Sequence, residues 1–259
     1  MSTGPLRGAA NAAAEALGAE ARRILGKANA VGPSLRLTGS LAVQLRCPSF
    51  AHLAHPGRDF HDLDFVAYRR EGRRLRELLA ELGYVEDREV AVVSEGARAI
   101  FAHSQSQVHL DVFFDRLDFC HLIPLEGRIE VESTTLPLAE LLLGKLQIVR
   151  INGKDLLDAI VLLLEHPLAE DDLAINIARI ARLAAEDWGL FHTATLNLEK
   201  IAGRAATHEA LTAEARVRVL GRIAELAGRL RSEPKPLGWR MRAKLGERVK
   251  WYKDVDEVR

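Results

Sequence analysis

Apolar residues recur at helical spacing over residues 11–26, where Leu17, Ala21 and Leu25 share a face and Gly26 supplies a stop, so a first amphipathic helix is predicted there. The run LRLTGS at 35–40 is broken by Gly39, and LAVQLR after it returns to helical spacing, which reads as strand, turn and helix. Residues 47–61 (CPSFAHLAHPGRDFH) have no period and deliver the chain as a loop into LDFVAY, a strand by its aromatic and β-branched content. Over 71–83, Leu75, Leu78, Leu79 and Leu82 fall on one helical face. VAVV, RAIFAH and VHLDVFF then read as consecutive strands. After Pro137 the pattern is helical only, through LAELLLGKLQIV, KDLLDAIVLLLEH, DLAINIARIARLAAED, EARVRVLGRIAELAGRL and a basic tail.

This order predicts an α+β chain: a small mixed-sheet domain over residues 1–136, then a helical bundle over 137–259. With 259 residues, 48% of them hydrophobic, the chain can bury a large core, which excludes a disordered tail or a disulfide miniprotein. Cys47 and Cys120 lie far apart with no CxxC pairing, as expected in a reducing cytoplasm. Lys and Arg balance Asp and Glu at 36 each, so no global field draws the chain to DNA or a membrane, and any anionic partner must meet a local patch. Apolar runs stay well short of the ~18 residues of a membrane span, so no membrane partner is expected.

Candidate chemistry begins at Asp62 and Asp64. Two apart on a strand, they share a face at roughly 6.5–7 Å. Asp111 lies in another predicted strand and joins them if that strand is the neighbour at about 4.8 Å. Clustered carboxylates repel one another unless a cation sits among them, and hard oxygen donors suit Mg²⁺. Asp-x-Asp at a strand start is equally compatible with solvent-facing or turn-forming side chains. Upstream, Gly39-Ser40 stands between strand and helix, where free N–H groups and the helix dipole favour a phosphate and glycine allows close approach. The same pair also serves simply as a turn glycine and a helix-capping serine.

The order Gly39-Ser40, Arg58, Asp62-x-Asp64, Asp111 resembles the nucleotidyltransferase superfamily that includes the minimal nucleotidyltransferases and the polymerase-β-like palm. It is closest to the AbiEii/AbiGii toxin-type branch, through RDFHDLDF, Lys145 in LLLGKLQIVR, and Lys154-Asp155-Leu156-Leu157-Asp158. The likeness covers about residues 30–165. It implies that Asp62, Asp64 and Asp111 are catalytic and hold a pair of Mg²⁺ ions. Gly39, Ser40, Arg58, Lys145, Lys154 and Asp158 would be nucleotide-binding, although Arg58 also fits a solvated loop and Asp155 and Asp158 fit helix capping. The implied activity moves a nucleoside monophosphate from an NTP to a hydroxyl acceptor such as RNA or tRNA. An antitoxin protein is an expected partner of that branch. The rival reading is a non-catalytic scaffold of the same fold that binds nucleic acid or a partner protein.

Other residues fit blander roles. His52, His55 and His61 lack the spacing of a zinc site; Trp188, Trp239 and Trp251 look like bundle packing. Between Arg229 and Lys253 nine basic residues face two acidic ones with aromatics interleaved, a pattern suited either to tracking a phosphate backbone or to a solvated helix face.

Overall fold

The computed structural model describes residues 4–54, 62–106 and 108–255. In chain order the elements begin with α1 (Gly4–Val31), β1 (Leu35–Leu37), α2 (Gly39–Arg46), α3 (Ala51–Ala54), β2 (Asp62–Ala67), α4 (Gly72–Glu81) and β3 (Tyr84–Asp87). Next come α5 (Arg88–Val93), β4 (Arg98–His103), β5 (His109–Phe114), β6 (Arg116–Asp118), β7 (Leu122–Pro124), α6 (Leu138–Leu146) and α7 (Gly153–Glu165). The remainder are β8 (Leu168–Ala169), β9 (Ile175–Asn176), α8 (Ile177–Glu186), α9 (Trp188–Thr207), α10 (Ala213–Ser232) and α11 (Leu237–Leu245). The protein is thus mixed α/β, with a mixed sheet, and no helix among the described residues is long and apolar enough to cross a membrane.

The chain divides into two compact units. The first comprises residues 1–46, 55–117 and 124–137, and the second residues 47–54, 118–123 and 138–259. The division at Pro137 falls where the hydrophobic period changes, but two short excursions, at 47–54 and 118–123, belong with the helical unit.

In the first unit five strands form one sheet in the order β1-β2-β5-β4-β3. β2 and β5 run parallel; the other pairs are antiparallel. Along β2 the side chains Leu63, Phe65 and Ala67 are fully buried, as are Leu110 and Val112 on β5. These point to the face on which α1, α2 and α4 pack, through Ala21, Ile24, Leu25, Leu75 and Leu79. Each large apolar side chain sealed there contributes ~1.5–3 kcal/mol. The alternate residues face the opposite side, and the chemistry collects there.

Two expectations change in this unit. VAVV is not a strand: Val90–Val93 lie in α5, because Asp87 caps that helix through the N–H groups of Glu89 and Val90, while Val92 and Val93 remain exposed. The strand is instead YVED, one step earlier. Helix α1 also runs past Gly26 to Val31, since burial of Ala28 outweighs the roughly 0.5–1 kcal/mol a helical glycine costs. The stop is Gly32, at φ +109°.

The second unit is helical as expected, apart from the β6 and β7 residues within 118–123 and from β8 and β9, a two-residue parallel pair on either side of the loop before α8. Its core is built from Ile160, Leu162, Leu163, Ile180, Leu198, Ile201 and Leu226. The three tryptophans are packing residues: the Nε1 of Trp239 donates to the Ala184 carbonyl, and that of Trp251 donates to Oγ1 of Thr193.

Candidate active site

In the parallel ladder Asp64 is the direct partner of Asp111, and Asp62 that of His109. Directly opposed residues of neighbouring strands share a sheet face, so Asp62, Asp64, His109 and Asp111 all project to the side away from the buried Leu63 and Phe65. The register therefore places the expected acids in one region of the sheet.

Gly39 closes against this region from the turn between β1 and α2. The Thr38 N–H donates to the Asp64 carbonyl at 2.8 Å, which ties the turn to β2. At φ +71° Gly39 adopts the left-handed backbone that glycine accepts without strain. A β-carbon there would overlap Oδ2 of Asp64 and stand 3.0 Å from its Cγ. Glycine at 39 is thus required twice over, by its dihedral and by the carboxylate lying on it. Ser40, half-buried, occupies the first turn of α2 beside it.

Asp111 has a strong partner that the sequence reading did not include. Arg98 on β4 donates from Nε to Oδ1 at 2.8 Å and from an Nη to Oδ2 at 2.6 Å, a two-pronged, charge-assisted pairing. Burial raises the Asp111 carboxyl above its ordinary range, against the downward pull of Arg98, and the Asp62 charge adds to the rise. The same hydrogen bond raises Arg98, with Asp111 and Asp64 both favouring its charge. Arg98 stands opposite Phe113 and reaches diagonally to Asp111, a placement that only the strand register reveals. A basic residue alternating with Ile100 and Ala102 on one strand face was its sole trace in the sequence.

The donor set suits a hard cation in kind: Asp62 is exposed and Asp64 half-buried on one face, with the glycine turn at 39 against the Asp64 carboxylate. Asp111, held on both oxygens by Arg98, does not complete a cage with them. Among the described residues no group of three His, Cys, Asp or Glu side chains is arranged to hold a metal ion.

In the second unit, Lys145 on α6 is buried and bonded to Asp155 at 2.8 Å and Asp158 at 2.7 Å, both on α7. Capping does not account for these acids, because Asn152 caps α7 by accepting from the N–H groups of Lys154 and Asp155. Burial alone would lower the Lys145 ammonium, but the charges of Asp158 and Asp155 outweigh it and the group ends above its ordinary value. The Lys154 side chain is exposed. Arg58, like His55 and His61, lies outside the described residues.

Five of the nine basic residues between Arg229 and Lys253 make internal ties. Arg229 pairs with Glu170 and Glu233, Lys250 with Asp254, and Lys253 with Asp118. Lys235 and Arg242 donate to backbone carbonyls, and Arg242 also lies over the Trp188 ring. Arg231, Arg240, Lys244 and Arg248 are exposed, and Lys235 and Lys250 lie near the Trp239 and Tyr252 rings. His103 accepts from the N–H groups of Gln105 and Ser106 as a turn residue, and His121 is buried against Thr193 and Asp187.

Searched against protein-family models and curated proteins, the chain matches none.

Proposed function

We propose that the protein is a Mg²⁺-dependent nucleotidyltransferase that moves a nucleoside monophosphate from an NTP to a hydroxyl acceptor. The observation that carries this reading is the juxtaposition of Asp62 and Asp64 with the glycine turn at 39: a carboxylate pair on a strand face, touched by the start of a helix. Asp62 and Asp64 would hold the cation, which when bound neutralises triphosphate charge and polarises the α-phosphate. Gly39 and Ser40 bring the first turn of α2 and its positive end to the phosphates. The acceptor oxygen bonds to the α-phosphorus as the bond to the β-phosphate oxygen breaks; pyrophosphate leaves, and the hydroxyl proton passes to a carboxylate of that face.

The fold supports this reading because it leaves one sheet face free of large apolar side chains at Asp62, Asp64 and His109 while sealing the other with α1, α2 and α4. The glycine turn also sets the start of α2 against Asp64, so a phosphate carrying a cation held by that carboxylate would lie beside the helix N-terminus. Incubation with α-labelled NTPs in Mg²⁺, with RNA, protein or small hydroxyl compounds as acceptors, tests the reading. Label transfer with stoichiometric pyrophosphate release, lost in Asp62→Asn and Asp64→Asn, is the expected result. Phosphate release without transfer, or transfer indifferent to both substitutions, contradicts it.

A further inference from the structure

The geometry points to Arg98 as a phosphate-binding residue of this site, with Asp111 acting as the carboxylate that positions its guanidinium and not as a ligand of the cation. The inference rests on the nucleotidyltransferase reading and narrows it. Both oxygens of Asp111 accept from one guanidinium, at 2.8 and 2.6 Å, which uses one lone pair on each and fixes the carboxylate on Arg98. Arg98 sits on the same sheet face as Asp62 and Asp64, since its neighbours in the ladder are Phe113 and, two residues along, Asp111, the partner of Asp64. Its side chain is 27% exposed, and its remaining N–H groups have no protein partner among the described residues. The guanidinium also packs against the Phe113 ring, 5.5 Å from its centroid, which restricts its rotation.

A guanidinium anchored on one edge by a carboxylate presents its other edge as a rigid set of donors, the geometry that planar and tetrahedral oxyanions take. The face it shares already offers two carboxylates to a cation, so an anion carrying that cation is the ligand whose charges match: the oxygens of a triphosphate. Asp111 offsets the Arg98 charge when the site is empty and keeps the fork in place when it is filled. Arg98 is the binding residue here, and Asp111 a positioning residue.

The test uses the full-length protein and four variants, Asp111→Asn, Arg98→Lys, Arg98→Gln and the Arg98→Gln/Asp111→Asn double. The lysine keeps a cation beside the buried carboxylate so that folding survives, and circular dichroism confirms this before binding is measured. Mn²⁺ affinity without nucleotide is read by titration of the free-ion electron-spin signal, and inorganic triphosphate affinity in Mg²⁺ by calorimetry. Asp111→Asn is expected to leave Mn²⁺ affinity within about twofold, while both Arg98 substitutions weaken triphosphate about tenfold, the loss typical of a charge-assisted hydrogen bond. Asp111→Asn weakens triphosphate comparably, and the double variant is no worse than the singles, because the pair acts as one unit. Loss of Mn²⁺ binding in Asp111→Asn, or unchanged triphosphate binding in both Arg98 variants, overturns this inference alone. If the wild type binds neither Mn²⁺ nor triphosphate, the nucleotidyltransferase reading falls and this one with it.

Discussion

Gly39 and Asp64 touch: the α-carbon of the glycine lies so close to the aspartate carboxylate that an added methyl would overlap Oδ2 and sit 3.0 Å from Cγ. Gly39→Ala therefore has to break the left-handed turn, displace Asp64, or both. The expected cost is about 1–3 kcal/mol, from backbone strain and from moving a half-buried carboxylate. Thermal unfolding in the absence of nucleotide measures it. A variant as stable as the wild type would show that the turn and Asp64 are not in contact.

Lys145 is the counter-charge for two acids, one of which, Asp158, is completely buried. Lys145→Met removes the lysine from both Asp155 and Asp158, and a loss of about 3–5 kcal/mol is expected. Adding Asp158→Asn should restore part of it. The lysine is held above its ordinary 10.5, so its contribution is complete below that pH and is lost only as alkali removes its proton. Urea melts across pH for the single and double variants check both statements.

Thr193 joins the buried His121 to the half-buried Trp251. Its hydroxyl meets Nε2 of His121 at 2.8 Å and accepts from Nε1 of Trp251 at 3.1 Å, and the Trp251 carbonyl lies where a side chain at Gly189 would go. Thr193→Val keeps the volume but leaves two ring nitrogens without a partner, at an expected cost of about 1–3 kcal/mol. Tryptophan fluorescence should change with it, since the Trp251 indole loses its hydrogen bond. An unaltered spectrum and melting temperature would show that the contact carries no energy.

Tyr68 and Tyr84 resist ionisation. Burial, with a hydrogen bond to Glu130, pushes the Tyr68 phenol up to about 12, and burial with a bond to Glu20 raises Tyr84 as well. Groups raised in the folded state stabilise it below their ordinary pKa of 10.0 and lose that contribution as pH climbs through the folded value, so stability should fall between about pH 10 and 12. Ultraviolet titration of the phenolates, with Tyr68→Phe as reference, reads this directly. A Tyr68 that ionises at its ordinary value would contradict it.

How much of this was legible in the sequence differs from element to element. Helices with long apolar stripes, such as α4 and α7, and the strands carrying Asp62, Asp64 and Asp111 are written in local periodicity. The VAVV segment is not, because a β-branched run of that length suits a short capped helix as well as a strand, and Asp87 decided it. The placement of Asp64 opposite Asp111 was an inference from residue types that only strand order and register could test. Arg98 was invisible for the same reason: its partner lies thirteen residues away, across a hairpin, and nothing local marks the pair. In the basic tail, composition does not reveal which cations meet carbonyls and acids of their own unit, as Arg229, Lys235, Arg242, Lys250 and Lys253 do.

Nucleotide-dependent stabilisation is the most direct test of the central claim. Melting curves of the wild type and Asp64→Asn, with Mg²⁺ alone, each NTP alone and the two together, separate the components. The account predicts that Mg²⁺ and at least one NTP together raise the wild-type melting temperature beyond the sum of their separate effects, and that Asp64→Asn, still folded, shows no such gain. A wild type indifferent to Mg²⁺ and every NTP, or an Asp64→Asn variant stabilised as much as the wild type, would contradict it.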